Sequence, residues 1–314
     1  MIILTGPTSV GKTKLSVKLA KEMGGEIISA DSMQVYKGMD IGSAKVTRKE
    51  MDNVPHHLID VLDPKDDFNV FIFKEMCDRI IPEILSRGHI PILVGGTGFY
   101  IQAVLRGIDF DENENDDSYR THLENLALEK GADYLNSMLK EVDPESAESI
   151  HKNNIKRTIR ALEFYHFTGK KISEHNEEQR QKEDAFNACY FVLNDERSLI
   201  YERIEKRVDE MLDAGLLDEV KTLKNLGLTR DYVSMQGLGY KEILDYLEGK
   251  ITLEEAIYII KRDTRHFAKR QITWFKREPS VIWVNKSDFD YDDNKIIEFM
   301  TAKCIEAGIN KKLF

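Results

Sequence analysis

"GPTSVGKT" at residues 6–13 matches the pattern G-x-x-x-x-G-K-[ST] at every position. In loops of this pattern, backbone N–H groups surround phosphate oxygens, and the following helix adds its N-terminal dipole. Gly6 and Gly11 permit the tight turn. Lys12 neutralises phosphate charge, and Thr13 offers a hydroxyl group to a magnesium ion. The residues predicted to bind phosphate are therefore Gly6, Pro7, Thr8, Ser9, Val10, Gly11, Lys12 and Thr13.

The flanking segments indicate a strand before the loop and a helix after it. The apolar stretch MIIL at 1–4 precedes the loop, and KTKLSVKLAKEM at 12–23 has apolar residues at helical spacing. EIISA at 26–30 and HIPILVGG at 89–96 are short apolar runs typical of buried strands, and 71–85 has a helical pattern. This alternation predicts an α/β fold in which helices wrap a parallel sheet.

The second predicted strand ends in an acid. In "IISADSMQVY" at 27–36 the apolar run leads directly into Asp31 and Ser32, and strand ends of parallel sheets point into the ligand crevice. The strand within PILVGGTG at 91–98 ends without any acid. Asp31 is therefore the only acid at the end of a predicted sheet strand near the loop. It could hold a metal, orient a sugar, take a proton, or only cap the following turn.

Composition changes along the chain and predicts an insertion. The seven residues DENENDD at 111–117 are typical of an exposed connector, and the following residues 119–180 are helical in pattern without a strand signal. NACYFVLN at 187–194 again predicts a buried strand. We therefore expect three parts, which are 1–112 as the first part of a catalytic core, 113–186 as a helical insertion, and 187–314 as the second part of the core.

The whole-chain properties favour a cytoplasmic protein that does not enter a membrane. No run approaches the roughly 18–20 apolar residues that a membrane helix needs, and the predicted strand at the start leaves no room for a signal peptide. Cys77, Cys189 and Cys304 have neither metal-ligand nor disulfide spacing. His56 and His57 have no third ligand at matching spacing, so we interpret this pair as structural.

Two basic segments contrast with the net charge of −10. Residues 151–171 carry six Lys or Arg and one acid, and residues 261–277 carry seven and one. Such clusters bind nucleic-acid phosphates with an affinity that falls with salt. We expect Trp274 and Phe275, within the second segment, to belong to the core.

Five motifs follow one another along the chain, namely GPTSVGKT, ISADSMQVYKGMDIGSAK at 28–45, VPHHLIDV at 54–61, PILVGGTGFYIQA at 91–103 and KRQITWFKR at 269–277. This order resembles that of the tRNA dimethylallyltransferases. The chain resembles the bacterial form of this family, since it lacks a C-terminal Cys/His zinc module. The resemblance implies a P-loop-kinase-like core with an inserted all-helical domain that grips the anticodon stem-loop of tRNA. It also implies magnesium, and dimethylallyl diphosphate as the donor.

The resemblance also implies roles for single residues. Asp31 would be the general base, and Lys12 and Thr97 would complete the catalytic set. Arg207, which shares a helix face with Arg203, would reach the diphosphate. The residues implied to contact tRNA are Asp31, Ser32, Met33, Gln34, Thr97, Arg120, Lys156, Arg157, Thr158, Ile159, Arg160, Gln236, Gly237, Leu238, Gly239, Tyr240 and Lys241.

Three other functions remain open at this point. A P-loop kinase for a small molecule such as a nucleoside would explain the loop and the sheet, but not the basic segments or the insertion. An isopentenyltransferase could act on free adenine nucleotides instead of tRNA. An RNA-binding protein could carry an inactive loop, although Lys12, Thr13 and Asp31 argue against this. Nothing in the sequence requires more than a monomer.

Overall fold

A computed structural model describes residues 1–108 and 117–310 of the protein. Within these residues six strands form one sheet, in which every neighbouring pair is parallel. The strands are β1 (Ile2–Thr5), β2 (Gly25–Ala30), β3 (His56–His57), β4 (Ile90–Gly95), β5 (Cys189–Asn194) and β6 (Val281–Asn285). Their order in the sheet is β3-β2-β4-β1-β5-β6. The predicted parallel sheet is thus confirmed. Two strands are additions to the predicted ones, namely β3, whose two residues have no periodicity to detect, and β6.

The four central strands β2, β4, β1 and β5 are almost entirely buried, as expected for strands that consist of continuous apolar runs. Every residue of β1 is buried, and neighbouring side chains alternate between two hydrophobic clusters. Ile3 lies in one cluster, whereas Ile2 and Leu4 lie in the other. All six carboxyl ends of the parallel strands lie at one edge of the sheet, where a ligand crevice is expected.

Nine helices accompany this sheet in the described part of the chain. Four precede the insertion, namely α1 (Lys12–Met23), α2 (Arg48–Met51), α3 (Val70–Ser86) and α4 (Gly98–Leu105). Five others follow the insertion, with α10 (Arg197–Asp213), α11 (Leu216–Asn225), α12 (Tyr240–Leu247), α13 (Leu253–Phe275) and α14 (Asp293–Glu306). The helices predicted over 12–23 and 71–85 are confirmed.

A second compact unit comprises Arg106–Ala185, and the first comprises Met1–Leu105 together with the chain from Phe186. The described part of the second unit is all helical, with α5 (Asp117–Lys130), α6 (Ala132–Val142), α7 (Pro144–Ser149), α8 (Ile155–Thr168) and α9 (Ile172–Gln181). The unit begins earlier than the predicted residue 113, because α4 ends at Leu105 and Gly107 adopts a left-handed conformation. The predicted acidic connector lies outside the described residues, except for its last position.

A buried carboxylate joins β2, β3 and the end of α3. Glu26 is 2% exposed, and it accepts two hydrogen bonds from Arg87, at 3.0 and 2.8 Å. Its oxygens also lie 2.7 Å from Nε2 of His57 and 2.6 Å from Nδ1 of His89. Burial would raise the pKa of Glu26, but the hydrogen bonds from Arg87, His57 and His89 outweigh it and lower the pKa to about 2. The structural role predicted for the histidine pair is thus confirmed for His57.

Glu26→Gln is expected to lower the free energy of unfolding at neutral pH by about 2 kcal/mol, because charge-assisted hydrogen bonds are lost. A carboxylate with a depressed folded-state pKa stabilises the fold above its unfolded pKa of about 4.3. That contribution disappears as the pH falls through about 2. Urea unfolding at neutral and acidic pH measures the difference between the two proteins. The difference in unfolding free energy between Glu26→Gln and wild type should shrink on acidification. Glu298→Gln, at an exposed glutamate of α14, should differ little from wild type at any pH. A difference that persists at low pH would contradict this assignment.

Candidate active site

One cavity of about 1390 Å³ opens at the carboxyl edge of the sheet. The loops after β1, β2 and β4 all contribute to its wall, and all its lining residues belong to the first unit. Among the predicted site residues, the lining includes Thr8, Ser9, Gly11, Lys12, Thr13, Asp31, Ser32, Met33, Gln34, Thr97, Arg207, Gln236, Gly237, Leu238, Gly239 and Lys241. The structure therefore brings together most of the residues that sequence reasoning placed in one site.

The loop between β1 and α1 has a conformation that its glycines permit. Gly6 has a φ of 141°, and a Cβ atom at this position would lie 2.4 Å from the carbonyl oxygen of Leu193. Gly11 has a φ of 100°, and Ser9 also has a positive φ, of 61°. The Ser9 hydroxyl is buried and has no hydrogen-bond partner within the described residues. A buried polar group of this kind points to a ligand that the loop accommodates.

Two predicted loop residues contribute only their backbones. Val10 is 1% exposed, and its side chain packs in the hydrophobic cluster with Leu15. Only its N–H group is therefore available to a phosphate. Pro7 has no N–H group, and its carbonyl oxygen accepts a hydrogen bond from Lys12 at 2.9 Å. For Val10 the predicted phosphate contact stays a prediction about its backbone N–H group, whereas Pro7 has no such group to offer.

Lys12 and Arg207 line the cavity, and neither forms an ion pair with a carboxylate in the described parts of the chain. Lys12 Nζ donates to the carbonyl oxygens of Gly6 and Pro7, at 3.0 and 2.9 Å. Burial lowers the pKa of Lys12 to about 8, with Asp31 acting to raise it and Arg207 to lower it further. Burial likewise lowers the pKa of Arg207. Two partly desolvated cations without a counter-ion favour an anionic ligand between them.

Arg203 does not belong to this pair, although it lies one helical turn from Arg207. Its guanidinium donates to the fully buried carboxylate of Asp195 at 2.6 Å. Asp195 follows β5 directly, so this ion pair fixes the start of α10 on the sheet. The helix thereby holds Arg207 toward the cavity, where it forms no ion pair within the described residues.

Asp31 caps a turn and still presents an oxygen to the cavity. Its Oδ1 atom accepts hydrogen bonds from the backbone N–H groups of Met33, at 2.9 Å, and Gln34, at 3.4 Å. Its Oδ2 atom has no hydrogen bond within residues 1–108 and 117–310. The capping interaction fixes the orientation of the carboxylate, and the second oxygen can accept a proton. The cap and the base are therefore compatible roles.

The neighbours of Asp31 differ in what their side chains can do. The Gln34 amide donates to the carbonyl oxygens of Ser43 and Ala44 at 3.4 and 3.3 Å, so it helps to fix the position of the 40–45 segment. Met33 packs against the first hydrophobic cluster and closely approaches Gly237. Ser32 is half-buried in the cavity wall. Thr97 begins α4, since its carbonyl oxygen accepts from Tyr100 and Ile101.

A glutamate that the sequence did not single out holds the 40–42 segment. Glu219 on α11 accepts from the backbone N–H groups of Asp40 and Ile41, both at 2.8 Å, and of Gly42 at 3.0 Å. It also accepts from the hydroxyl of Tyr240 at 2.8 Å. Tyr240 is fully buried, so its predicted tRNA contact is wrong for the side chain, which serves this cluster instead.

Gln271 on α13 is a second residue that the sequence did not single out. It is 6% exposed, and its amide bonds both the loop at Thr8 and the turn at Gly96. Ala268 and Phe275, at helical spacing on either side, are buried. The sequence does carry a signal for Gln271, because a polar residue stands there at a position where helical spacing places buried apolar residues.

The second unit corrects part of the predicted tRNA contact on α8. Lys156 and Arg157 are exposed, as the prediction requires. Thr158 and Ile159 are 0% and 4% exposed, because the apolar face of the helix packs into the core of this unit. Their side chains cannot meet tRNA. Arg120 is also engaged, since its guanidinium makes two hydrogen bonds of 2.9 Å with Glu163.

The basic segment 261–277 presents fewer cations than its sequence suggests. Its first three basic residues form ion pairs, which are Lys261 with Asp209, Arg262 with Asp263 and Arg265 with Glu205. The later residues line a small open cavity, formed by His266, Lys269, Arg270, Thr273, Trp274 and Arg277. Phe275 is fully buried and Trp274 packs against the core, as predicted. We call the six residues that line the small open cavity the α13 basic surface.

Neither a metal cluster nor a membrane helix occurs in the described residues. No group of three or more His, Cys, Asp or Glu side chains there could hold a metal ion. Among the described helices, none combines the length and apolar character needed to cross a bilayer. Each of the three cysteines is buried and unpaired.

Comparison with known proteins identifies the family. A family model described as IPP transferase matches residues 34–278. The tRNA dimethylallyltransferase of Lachnoclostridium phytofermentans is 59% identical over 300 residues, which cover 96% of this chain and 96% of that protein. The tRNA isopentenylpyrophosphate transferase of Bacillus halodurans has a crystal structure with a TM-score of 0.73 and 45% identity, covering 98% of this chain and 97% of that one.

A eukaryotic relative has the same fold over this whole chain. The structure of a dimethylallyltransferase acting on tRNA gives a TM-score of 0.85 at 30% identity, and the match covers 100% of this chain and 81% of that chain. The sheet and helices described above therefore belong to a fold that this relative shares. The chain belongs to the IPP transferase family.

Proposed function

We propose that the protein transfers the dimethylallyl group of dimethylallyl diphosphate to the exocyclic amine of the adenine immediately 3′ of the anticodon in tRNA. The observation that carries this proposal is the shared cavity. Its lining includes Lys12 and Arg207, which form no ion pair within the described residues, and Asp31, whose Oδ2 atom accepts no hydrogen bond there. The two cations can stabilise an anionic leaving group, and the carboxylate oxygen can accept the proton of a nucleophilic amine.

The diphosphate of the donor would lie on the loop of residues 6–13. Backbone N–H groups between Ser9 and Thr13 and the positive end of α1 favour its oxygens, and the Ser9 hydroxyl gains the partner it lacks. Lys12 and Arg207 stabilise the charge that develops as the diphosphate departs. These residues therefore act most strongly in the transition state.

Magnesium is part of the proposal, and the residues present fit it. Thr13 is exposed to the cavity and offers a hard oxygen ligand. Because the described residues contain no metal cluster of their own, the diphosphate oxygens would supply most of the remaining ligands. When bound, the ion supplies charge neutralisation to the leaving group.

The acceptor adenine would lie between Asp31 and Thr97. The amine nitrogen forms a bond to the first carbon of the allyl group while the carbon–oxygen bond to the diphosphate breaks. The electron pair of that bond leaves with the diphosphate, and Asp31 Oδ2 takes the amine proton. The cavity exceeds the ~300–1,000 Å³ of a typical single-ligand pocket, so both substrates have room.

The tRNA would contact the exposed cations of α8 and the α13 basic surface. Reaching a base that is normally stacked costs a few kcal/mol, and phosphate contacts offset this cost. With tRNA as the acceptor, the proposal places the enzyme in the cytoplasm. The proposal requires no more than a monomer.

Binding of tRNA is expected to weaken steeply with salt despite the acidic chain, because Lys and Arg clusters release counterions. Reversing the charges of the exposed pair Lys156 and Arg157 should reduce the slope of log K against log salt by roughly 1 to 2. Filter binding over a salt series measures this slope. Lys295→Glu with Lys303→Glu on α14 introduces the same charge change elsewhere, and it should leave the slope nearly unchanged. Equal slopes for wild type and the α8 variant would remove α8 from the interface.

A substrate comparison tests the proposed function against its alternatives. Donor labelled in its allyl group is incubated with the protein and either unmodified tRNA or AMP, and a third reaction contains a nucleoside with labelled ATP. We expect label in tRNA alone. Label in AMP would favour the transferase for free nucleotides, and a phosphorylated nucleoside would favour the kinase.

A further inference from the structure

Gln271 connects the two loops that would carry the two substrates. Its Oε1 atom accepts the backbone N–H of Thr8 at 2.8 Å, and its Nε2 atom donates to the carbonyl oxygen of Gly96 at 3.0 Å. Thr8 belongs to the loop proposed to hold diphosphate. Gly96 precedes Thr97, which lines the proposed adenine site. One side chain from a distant helix therefore spans both motifs.

The side chain of Gln271 also lies very close to the backbone of Gly96. A Cβ atom at Gly96 would lie 2.1 Å from Nε2 of Gln271, so the glycine is needed for the amide to approach. One turn further along α13, the Trp274 ring lies so close to Gly98 that a Cβ there would be 2.2 Å from it. Helix α13 thus sets the position of residues 96–98 by direct packing at two points.

Only a side chain with one donor and one acceptor satisfies both partners. A glutamine amide provides both, and at 6% exposure water cannot easily replace either hydrogen bond. A carboxylate would accept from Thr8 but would set a negative oxygen against the Gly96 carbonyl. An alanine would leave both backbone groups unpaired.

We infer that Gln271 is a positioning residue, which fixes the distance between the donor diphosphate and the target adenine. This inference rests on the proposed function. Transfer requires the reacting atoms to be held at near-attack distance, and a misplacement of about 1 Å can cost ~10²-fold in rate. Gln271 touches neither substrate in this account, and it acts through Thr8 and Gly96.

The test compares Gln271→Glu with Gln271→Ala in the full-length enzyme. Single-turnover transfer is measured with saturating dimethylallyl diphosphate and unmodified tRNA, from about pH 6 to about pH 8. Rates are divided by those of wild type, because Lys12 lines the same cavity and its pKa of about 8 makes it titrate in every variant. Gln102→Ala, at a half-buried glutamine of α4 whose amide donates to Glu278, serves as the matched control.

Gln271→Glu should be roughly 10- to 100-fold slower near pH 8. Its relative rate should recover as the pH falls, because a protonated carboxyl group donates to Gly96 while still accepting from Thr8, and its pKa is raised in this buried site. Gln271→Ala should be slow at every pH, with tRNA affinity unchanged. The control should match wild type.

Two results would overturn the inference. One is a relative rate of Gln271→Glu that does not change with pH. The other is a parallel loss of melting temperature and tRNA affinity in both variants, which would indicate a general structural role. If the unsubstituted enzyme transfers nothing, the proposed function itself fails, and that outcome is distinct from either result.

Discussion

Asp31→Asn is expected to slow single-turnover dimethylallyl transfer by about 10²- to 10⁴-fold, the usual cost of losing a general base. The affinity for tRNA and the dependence on magnesium should stay near those of wild type. The asparagine keeps an Oδ1 atom, so it can still accept the backbone N–H of Met33 that Asp31 accepts at 2.9 Å. The substitution therefore removes the base and preserves the cap. Quenched-flow measurement of product with enzyme in excess over tRNA gives the rate.

Two other outcomes would assign Asp31 a different role. A rate near that of wild type would mean that Asp31 only caps the turn. Recovery of the rate at high magnesium would make Asp31 a metal ligand and place the base elsewhere. Asp31→Ala provides the matched comparison, since it removes both the cap and the base and should add a loss of thermal stability to the loss of rate.

Lys12→Ala is expected to weaken use of the donor strongly and to slow turnover by roughly two orders of magnitude or more. Lys12 Nζ is held at 3.0 and 2.9 Å by two loop carbonyl oxygens, in a position to meet the departing diphosphate. The affinity for tRNA should survive, because this cation faces the loop. Steady-state kinetics with varied donor, together with tRNA filter binding, separates the two effects. Lys21→Ala, at an exposed lysine in the last turn of α1, is the control. A loss of tRNA affinity with normal use of donor would contradict the role.

The pH dependence of donor use should report on the same lysine. Burial lowers the pKa of Lys12 to about 8, so the free enzyme loses this charge as the pH rises through about 8. Donor affinity in the wild type should therefore weaken above that pH and be retained below it. An arginine stays charged throughout, so Lys12→Arg should not show the alkaline decline.

The loop, the strands and Asp31 could be predicted from the sequence because their signals are local. Residues 6–13 form one contiguous pattern, and a strand that ends in Asp31 places its carboxylate at the carboxyl edge without further information. The helix over 12–23 follows from spacing alone. Such features depend on neighbours in the chain, which a sequence shows directly.

The errors and omissions arise from tertiary packing. Thr158 and Ile159 lie in a segment for which the resemblance implies a tRNA contact. On the helix, however, their side chains are buried in the core of the second unit. Tyr240 is similarly directed to Glu219. Glu219 and Gln271 were not predicted, because the backbone groups that they bind lie more than 170 residues away in the chain. A contiguous motif marks a region, and the fold decides which of its side chains face the ligand.

The coupling of product formation to diphosphate release tests the central claim most directly. A synthetic anticodon stem-loop, with either adenine or guanine immediately 3′ of the anticodon, is incubated with the enzyme, magnesium and dimethylallyl diphosphate. Mass spectrometry of the RNA and quantification of diphosphate follow. We predict one dimethylallyl group on that adenine for each diphosphate released, and no transfer to the guanine variant. Diphosphate release without RNA product, or equal modification of both RNAs, would contradict the account.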